Sequence, residues 1–244
     1  MYNGLTISVV IPCFNEERGI GNVLRNMPDY VDEVIVVDNN SADGTARIAR
    51  ELGACVVHEA RKGYGSAYQA GLPRARGDII ATLDGDGTYP ATAIAPILDW
   101  MLARRIDFVS ASRFPLQQRS AMRGRNWLGN MILTWVTRAL WLTWVRDSQS
   151  GMWIFRRELL HHLRLSSLGM PFSEEIKIEA MTDRRFRFAE YAIRYEERIG
   201  ESKLFPFQNG LENLLFLFKL RFGQRAGARP LLSEDAVEER PCGA

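Results

Sequence analysis

Two carboxylates, Asp84 and Asp86, stand one residue apart in Ala-Thr-Leu-Asp-Gly-Asp-Gly-Thr-Tyr-Pro, residues 81–90, after an apolar run that begins at Ile79. An Asp-x-Asp pair leaving a strand points hard oxygen ligands past the sheet edge. That suits Mg²⁺ or Mn²⁺, ions that also take oxygens from a substrate phosphate. Gly85 and Gly87 let the backbone turn tightly around such an ion. Asp-Gly pairs are also common in ordinary turns, so the pair alone leaves both readings open.

The basic residues are nearly all arginine; lysine occurs only at Lys62, Lys177, Lys203 and Lys219. Arginine presents a planar fork that grips phosphate bidentately. A GC-rich genome would give the same bias. The cysteines are Cys13, Cys55 and Cys242. Their scatter forms neither a disulfide framework nor a zinc spacing, and a reducing cytosol fits.

Positioning these groups requires an ordered frame. Residues 7–12 form a β-branched apolar run and read as a buried strand. Helical spacing follows over 16–27, a strand over 31–38, a helix over 43–52 stopped by Gly53, a short strand over 54–58, a helix over 65–75 and a strand over 78–83. Strands alternating with helices predict a parallel sheet covered on both faces. Ligands of such sheets sit at the C-terminal strand ends. The polar stretches 12–16, 38–43 and 84–88 all fall at that edge.

Further on, a helix is expected over 93–104 and a strand over 107–112. Residues 126–145 are strongly apolar and carry Trp127, Trp135, Trp141 and Trp144. They read as a core helix pair or as an interfacial surface. Strands are expected over 152–155 and 188–195, and a short helix over 211–222. The tail from Gly223, rich in Gly, Pro, Arg and Glu, is expected to be disordered. We therefore expect one domain over 1–222.

The 244 residues are 46% hydrophobic and 25% charged, a globular composition that excludes a disordered chain. A net charge of +2 gives no general pull toward nucleic acid. The chain enters a strand pattern directly, so no signal peptide is expected. No uncharged apolar run reaches the roughly 18 residues of a membrane span.

The first strand is followed by Pro-Cys-Phe-Asn-Glu-Glu rather than Gly-x-Gly-x-x-Gly, which argues against a dinucleotide cofactor. With Val36-Val37-Asp38-Asn39-Asn40-Ser41-Ala42-Asp43-Gly44-Thr45 and the Asp84/Asp86 pair, the chain resembles the inverting GT-A glycosyltransferases of family 2 over residues 5–222. Ser112-Arg113-Phe114, the Arg123–Asn126 stretch, Asp147-Ser-Gln-Ser-Gly151, Gly169-Met-Pro-Phe-Ser-Glu-Glu175 and the Tyr195–Lys203 segment look like the dolichol-phosphate mannose synthase branch. That branch moves mannose or glucose from a nucleotide sugar, such as GDP-mannose or UDP-glucose, to a polyprenyl phosphate. Two positions depart from it: Thr88 stands where a glutamine is frequent, and Trp153 where an arginine is common.

The resemblance implies a nucleotide-binding half at 1–90, an acceptor-binding half at 91–222, and roles for residues within them. Pro12, Asn15, Glu16, Asp38 and Asp84 would hold the nucleotide. Asp84 and Asp86 would hold Mg²⁺ or Mn²⁺ on the diphosphate, while Asp86, Arg198 and Lys203 would act in catalysis. Arg113, Arg123, Arg125, Asp147 and Glu175 would bind the acceptor. For Glu16 a first-turn helix acid is an alternative; for Asp147 and Glu175 an ion pair with a nearby arginine is one. Lys62 and the turn 63–65 would approach the nucleotide or form a plain loop. His58, His161 and His162 match no motif and are expected to be structural or exposed. A hydroxyl acceptor would need Glu175 or Asp147 as a base, and a catalytically silent nucleotide-sugar-binding subunit is the reading from another class. Without a spanning helix, the expected location is peripheral, at the cytoplasmic face of a membrane.

Overall fold

The computed structural model describes residues 1–117, 122, 124–201, 206–223 and 227–232. Strands β1 (Ile7–Cys13), β2 (Glu33–Asp38), β3 (Cys55–His58) and β4 (Ile79–Thr82) alternate with helices α1 (Ile20–Arg25), α2 (Thr45–Glu51) and α3 (Tyr64–Gly71). Then follow α4 (Ile94–Arg104), β5 (Phe108–Ser112), α5 (Gly124–Trp141), β6 (Trp153–Arg156), α6 (Phe172–Thr182), β7 (Phe188–Ala192) and α7 (Pro206–Phe222). The seven strands form one sheet in the order β3-β2-β1-β4-β6-β5-β7. All neighbouring pairs are parallel except those of β6, which runs antiparallel between β4 and β5.

Period-two alternation sends successive strand residues to opposite faces. Val9, Ile11 and Val36 enter one core with Ile20, Ile94, Leu98 and Met101. Val10, Ile35 and Val37 enter the other with Tyr68, Leu72, Trp153 and Phe172. Apolar contact on both faces explains why these strands read as unbroken apolar runs. A third, smaller cluster joins α5, α6 and α7 through Leu133, Ile178, Leu217 and Leu220.

The expected mixed α/β architecture is present, with several local differences. The helix expected from residue 16 starts at Ile20, because residues 14–19 are spent on a loop: Asn15 takes φ +54° and the Glu16 amide donates to Thr45 Oγ1 at 2.8 Å. Residues 126–145 supply one helix, α5, rather than a pair. Helix α6 was not expected at all. It buries Glu174, Glu175, Lys177 and Glu179 beside its apolar residues, so its sequence lacks a polar face. Residues 227–232, expected in a disordered tail, pack instead: Leu165 bridges Arg229, and Leu232 is buried in the second core. The Gly/Pro/Arg composition of that tail masks a short Pro-Leu-Leu anchor. Cys13 is a free buried thiol.

Candidate active site

The C-terminal edge of β1, β2 and β4 carries the site. In the β1–β2 ladder Cys13 is level with Asp38, so both strands end together. The chain after β1 wraps onto the loop after β2. The Asn15 amide donates to Ser41 Oγ (3.0 Å), and Asn15 Oδ1 accepts from the Ala42 amide (2.8 Å). Asp38 Oδ1 accepts from the Ser41 amide at 3.1 Å. Its Oδ2 lies 3.3 Å from His58 Nδ1, because Asp38 and His58 end neighbouring parallel strands in register. That register was the available signal for His58. Asn39 pins the next loop, donating to the carbonyls of Glu59 and Arg61 and accepting from the Gly63 amide. Lys62 thereby sits 5.5 Å from the centre of the Phe14 ring.

Beyond β4 the backbone folds back tightly. A Cβ on Gly85 would fall 2.6 Å from Cys13 Sγ, and one on Gly19 would fall 2.5 Å from the Gly85 carbonyl. Only glycine lets these two turns touch. Asp86 is buried, and its Oδ1 accepts from the Thr88 amide (2.9 Å) and hydroxyl (2.7 Å). The 195–200 stretch docks on this turn through Glu196 N to Thr88 O and Ile199 N to Asp86 O, both 2.9 Å. Docking brings Arg198 Nη2 to 2.6 Å from Asp86 Oδ2 and Nη1 to 3.7 Å from Glu16 Oε1. Burial works against the Arg198 charge, but Asp86, Asp84 and Glu16 outweigh it and hold the guanidinium protonated.

Asp84 differs from its neighbour. It is half-buried, and no described residue hydrogen-bonds its carboxylate. Burial and then the adjacent Asp86 push its pKa up to about 7, against the opposing pull of Arg198 and Arg113. This centre carries more negative charge than its surroundings neutralise. Two hard carboxylates in that condition fit a divalent cation such as Mg²⁺ or Mn²⁺. Among the described residues no group of three or more His, Cys, Asp or Glu could cage an ion. Other ligands would have to come from substrate oxygens and water, as is usual for Mg²⁺.

Arg113, at the end of β5, is locked on buried Asp147 by Nε and Nη2, both at 2.7 Å, and by its amide at 3.0 Å. Burial opposes both charges, yet the pair outweighs it: Arg113 is held high and Asp147 low. The Arg113 guanidinium also lies over Tyr195, which stacks edge-on with Tyr89. Glu175 points elsewhere, accepting from the amides of Ser166 and Ser167 and the Ser166 hydroxyl. Arg125 is exposed on the first turn of α5. Arg123 and Lys203 lie outside the described residues. Pro12 stays within β1. Trp153, one of the two departures from the branch pattern, is a core residue whose Nε1 donates to the Ser150 carbonyl at 2.9 Å. Tyr64, in the turn 63–65, and Gly151, closing the 147–151 motif, come together beside Asp84. A Cβ on Gly151 would meet Tyr64 Oη at 2.6 Å and the Asp84 oxygens at 3.4 and 3.5 Å, so Gly151 keeps open the space beside Asp84.

A mostly parallel sheet with acidic groups gathered at its C-terminal edge belongs to the α/β class that handles nucleotides at that edge. The family model for glycosyl transferase family 2 matches residues 8–164, and the chain belongs to that family. A dolichyl-phosphate hexose transferase of Haloferax volcanii is 35% identical over 207 residues, covering 84% of this chain and 89% of that protein. A low-salt glycan biosynthesis hexosyltransferase of the same organism is 32% identical over 219 residues; the match covers 87% of this chain but 53% of that longer protein. Among solved structures, glucosyl-3-phosphoglycerate synthase from Mycobacterium tuberculosis, in complex with Mn²⁺, UDP and glucosyl-3-phosphoglycerate, superposes with a TM-score of 0.71 at 26% identity. It covers 92% of this chain and 82% of that one. The fold is thus the GT-A fold, and the chain is a glycosyltransferase.

Proposed function

We propose that this glycosyltransferase moves a hexose, mannose or glucose, from a nucleotide sugar to a polyprenyl phosphate at a lipid surface, inverting the anomeric centre. The observation that carries the acceptor is the exposed apolar face of two neighbouring helices. On α5, Leu128, Ile132 and Trp135 recur at helical spacing beside Trp127, and on α7 Leu211, Leu215, Phe218 and Phe222 do the same, all exposed. Trp144, just past α5, is 86% exposed. Arg138 lies over Trp135 and Arg221 over Phe222, placing cations among aromatic groups, as on helices that rest in an anionic interface. No helix among the described residues is long and apolar enough to cross a membrane, so attachment would be peripheral. The dolichyl-phosphate hexose transferase relative supports the same acceptor class.

In this reading residues 1–90 hold the nucleotide, with Pro12, Asn15, Glu16 and Asp38 around the nucleoside. Asp84 and Asp86 would hold Mg²⁺ or Mn²⁺, which supplies Lewis-acid stabilisation of the leaving diphosphate. Arg198, kept charged by Asp86, adds a fixed positive charge at the same oxygens, and Lys203 would join it. Arg113 has Nε and Nη2 committed to Asp147, which leaves Nη1 for the acceptor phosphate; Arg125 and Arg123 would complete the grip. A phosphate nucleophile is already ionised near neutral pH, so positioning replaces a general base.

The test is incubation with radiolabelled nucleotide sugars, Mg²⁺ or Mn²⁺ and polyprenyl phosphate, followed by organic extraction. Label in the organic phase supports the reading. The likeness to glucosyl-3-phosphoglycerate synthase favours a second reading, a small soluble acceptor, which would leave labelled product in the aqueous phase.

A further inference from the structure

Five consecutive residues between α5 and β6 each hold a different part of the molecule. Asp147 clamps Arg113. Ser148 binds Thr134 of α5, by its amide at 3.2 Å and its hydroxyl at 3.1 Å. Gln149 Nε2 donates to Glu174 Oε1 of α6, and its Oε1 accepts from Asn213 Nδ2 of α7 at 2.7 Å. The Ser150 hydroxyl donates to the Ala111 carbonyl in β5, and its own carbonyl accepts from Lys177 Nζ of α6 at 2.8 Å. Gly151 donates to Tyr89 Oη at 2.8 Å, accepts from Thr82 Oγ1 at 3.0 Å and faces the Asp84 carboxylate.

The two helices with exposed apolar stripes therefore reach the acidic centre through one short strut. Their inward stripes make the connection. Asn213 shares the buried side of α7 with Leu217 and Leu220, and Thr134 shares that of α5 with Leu133 and Thr137. The relay is not built for stability alone. Glu174 Oε2 at one end and Asn213 Oδ1 at the other are buried without a hydrogen-bond partner among the described residues. A leucine pair at the same place would leave neither group unpaired.

We propose that Gln149 is a positioning residue that carries the seating of α7 on lipid to Arg113 and Asp84. The link runs Asn213–Gln149–Asp147–Arg113 on one side, with Gln149 N donating to Asp147 Oδ1 at 3.2 Å, and through Ser150 to Gly151 and Asp84 on the other. Lipid contact that settles α7 fixes the Gln149 amide, and with it the strut that places the acceptor-facing arginine and the metal-facing carboxylate relative to one another. The proposal rests on the reading of α5 and α7 as the lipid face.

The test uses the full chain, its Gln149→Met variant and its Asn213→Leu variant, each with and without phosphatidylglycerol–phosphatidylcholine vesicles. Amide hydrogen exchange is read in α5, in α7, over 147–151 and over 86–88, beside the rate of transfer. In the wild type, vesicles are expected to slow exchange several-fold in all four segments and to raise kcat several-fold. In both variants α5 and α7 stay protected, while slowing at 147–151 and 86–88 and the rise in kcat fall below twofold. Equal slowing and stimulation in the variants overturns the relay. Absence of protection in wild-type α5 and α7 removes the lipid face itself, and the relay with it.

Discussion

Replacing Glu174 by Gln should stabilise the protein at alkaline pH and do little at acid pH. Burial, opposed by the Gln149 hydrogen bond and by Lys177, pushes the Glu174 pKa from its ordinary 4.5 up to about 8. The folded state therefore binds this proton more tightly than the unfolded chain does. Its stabilising effect is complete below pH 4.5 and is lost as pH rises through 8. At about 1.4 kcal/mol per tenfold in proton affinity, the loss between pH 5 and pH 8 is roughly 3 kcal/mol. Glutamine keeps an acceptor for Gln149 and cannot ionise, so the variant escapes that loss. For a chain of this length 1 kcal/mol moves Tm by about 2–4 °C, so the Tm difference between variant and wild type should widen by roughly 6–12 °C from pH 5 to pH 8. Lys177 provides the opposite limb: burial pushes it down to about 7 from 10.5, so stability returns as pH rises from 7 toward 10.5. Differential scanning fluorimetry of the wild type, Glu174→Gln and Lys177→Met across pH 5–10 reads both limbs. A Glu174→Gln Tm difference that is the same at pH 5 and pH 8 refutes the buried-carboxylate argument.

Three further outcomes follow from the site. Asp84→Asn and Asp86→Asn should each lower transfer by orders of magnitude, and chelation should abolish wild-type activity; full activity of either variant in EDTA would remove the cation from the reading. Arg125→Ala should raise the KM for polyprenyl phosphate more than the KM for the nucleotide sugar, and equal effects on both would assign this arginine a structural role. Trp135 and Trp144 are both exposed, so replacing the two by serine should weaken pelleting with anionic vesicles while leaving nucleotide affinity unchanged, a pair of measurements that sedimentation and calorimetry supply.

The sequence alone determined the architecture of residues 1–90. Its strands are short apolar runs ending in polar residues, its helices end at Gly53 and Pro28, and the parallel sheet follows from their alternation. Strand ends at one edge then fix which polar residues can meet, so Asp38, Asp84 and Asp86 were legible as neighbours. What only the tertiary structure decided depends on contacts between segments distant in sequence. Nothing local marks β6 as antiparallel between β4 and β5. Helix α6 escaped notice because its charges are buried against partners that come from the strut and from residues 164–167, so its amphipathic signal is lost. Arg198 stands 112 residues after Asp86, and the backbone pairing of 196–199 with 86–88 supplies their contact. The four tryptophans of residues 127–144 look alike in sequence; packing of α5 on α7 leaves Trp127, Trp135 and Trp144 exposed and partly buries Trp141. Periodicity gives each helix an apolar side, but only the placement of its neighbours decides whether protein or solvent meets that side.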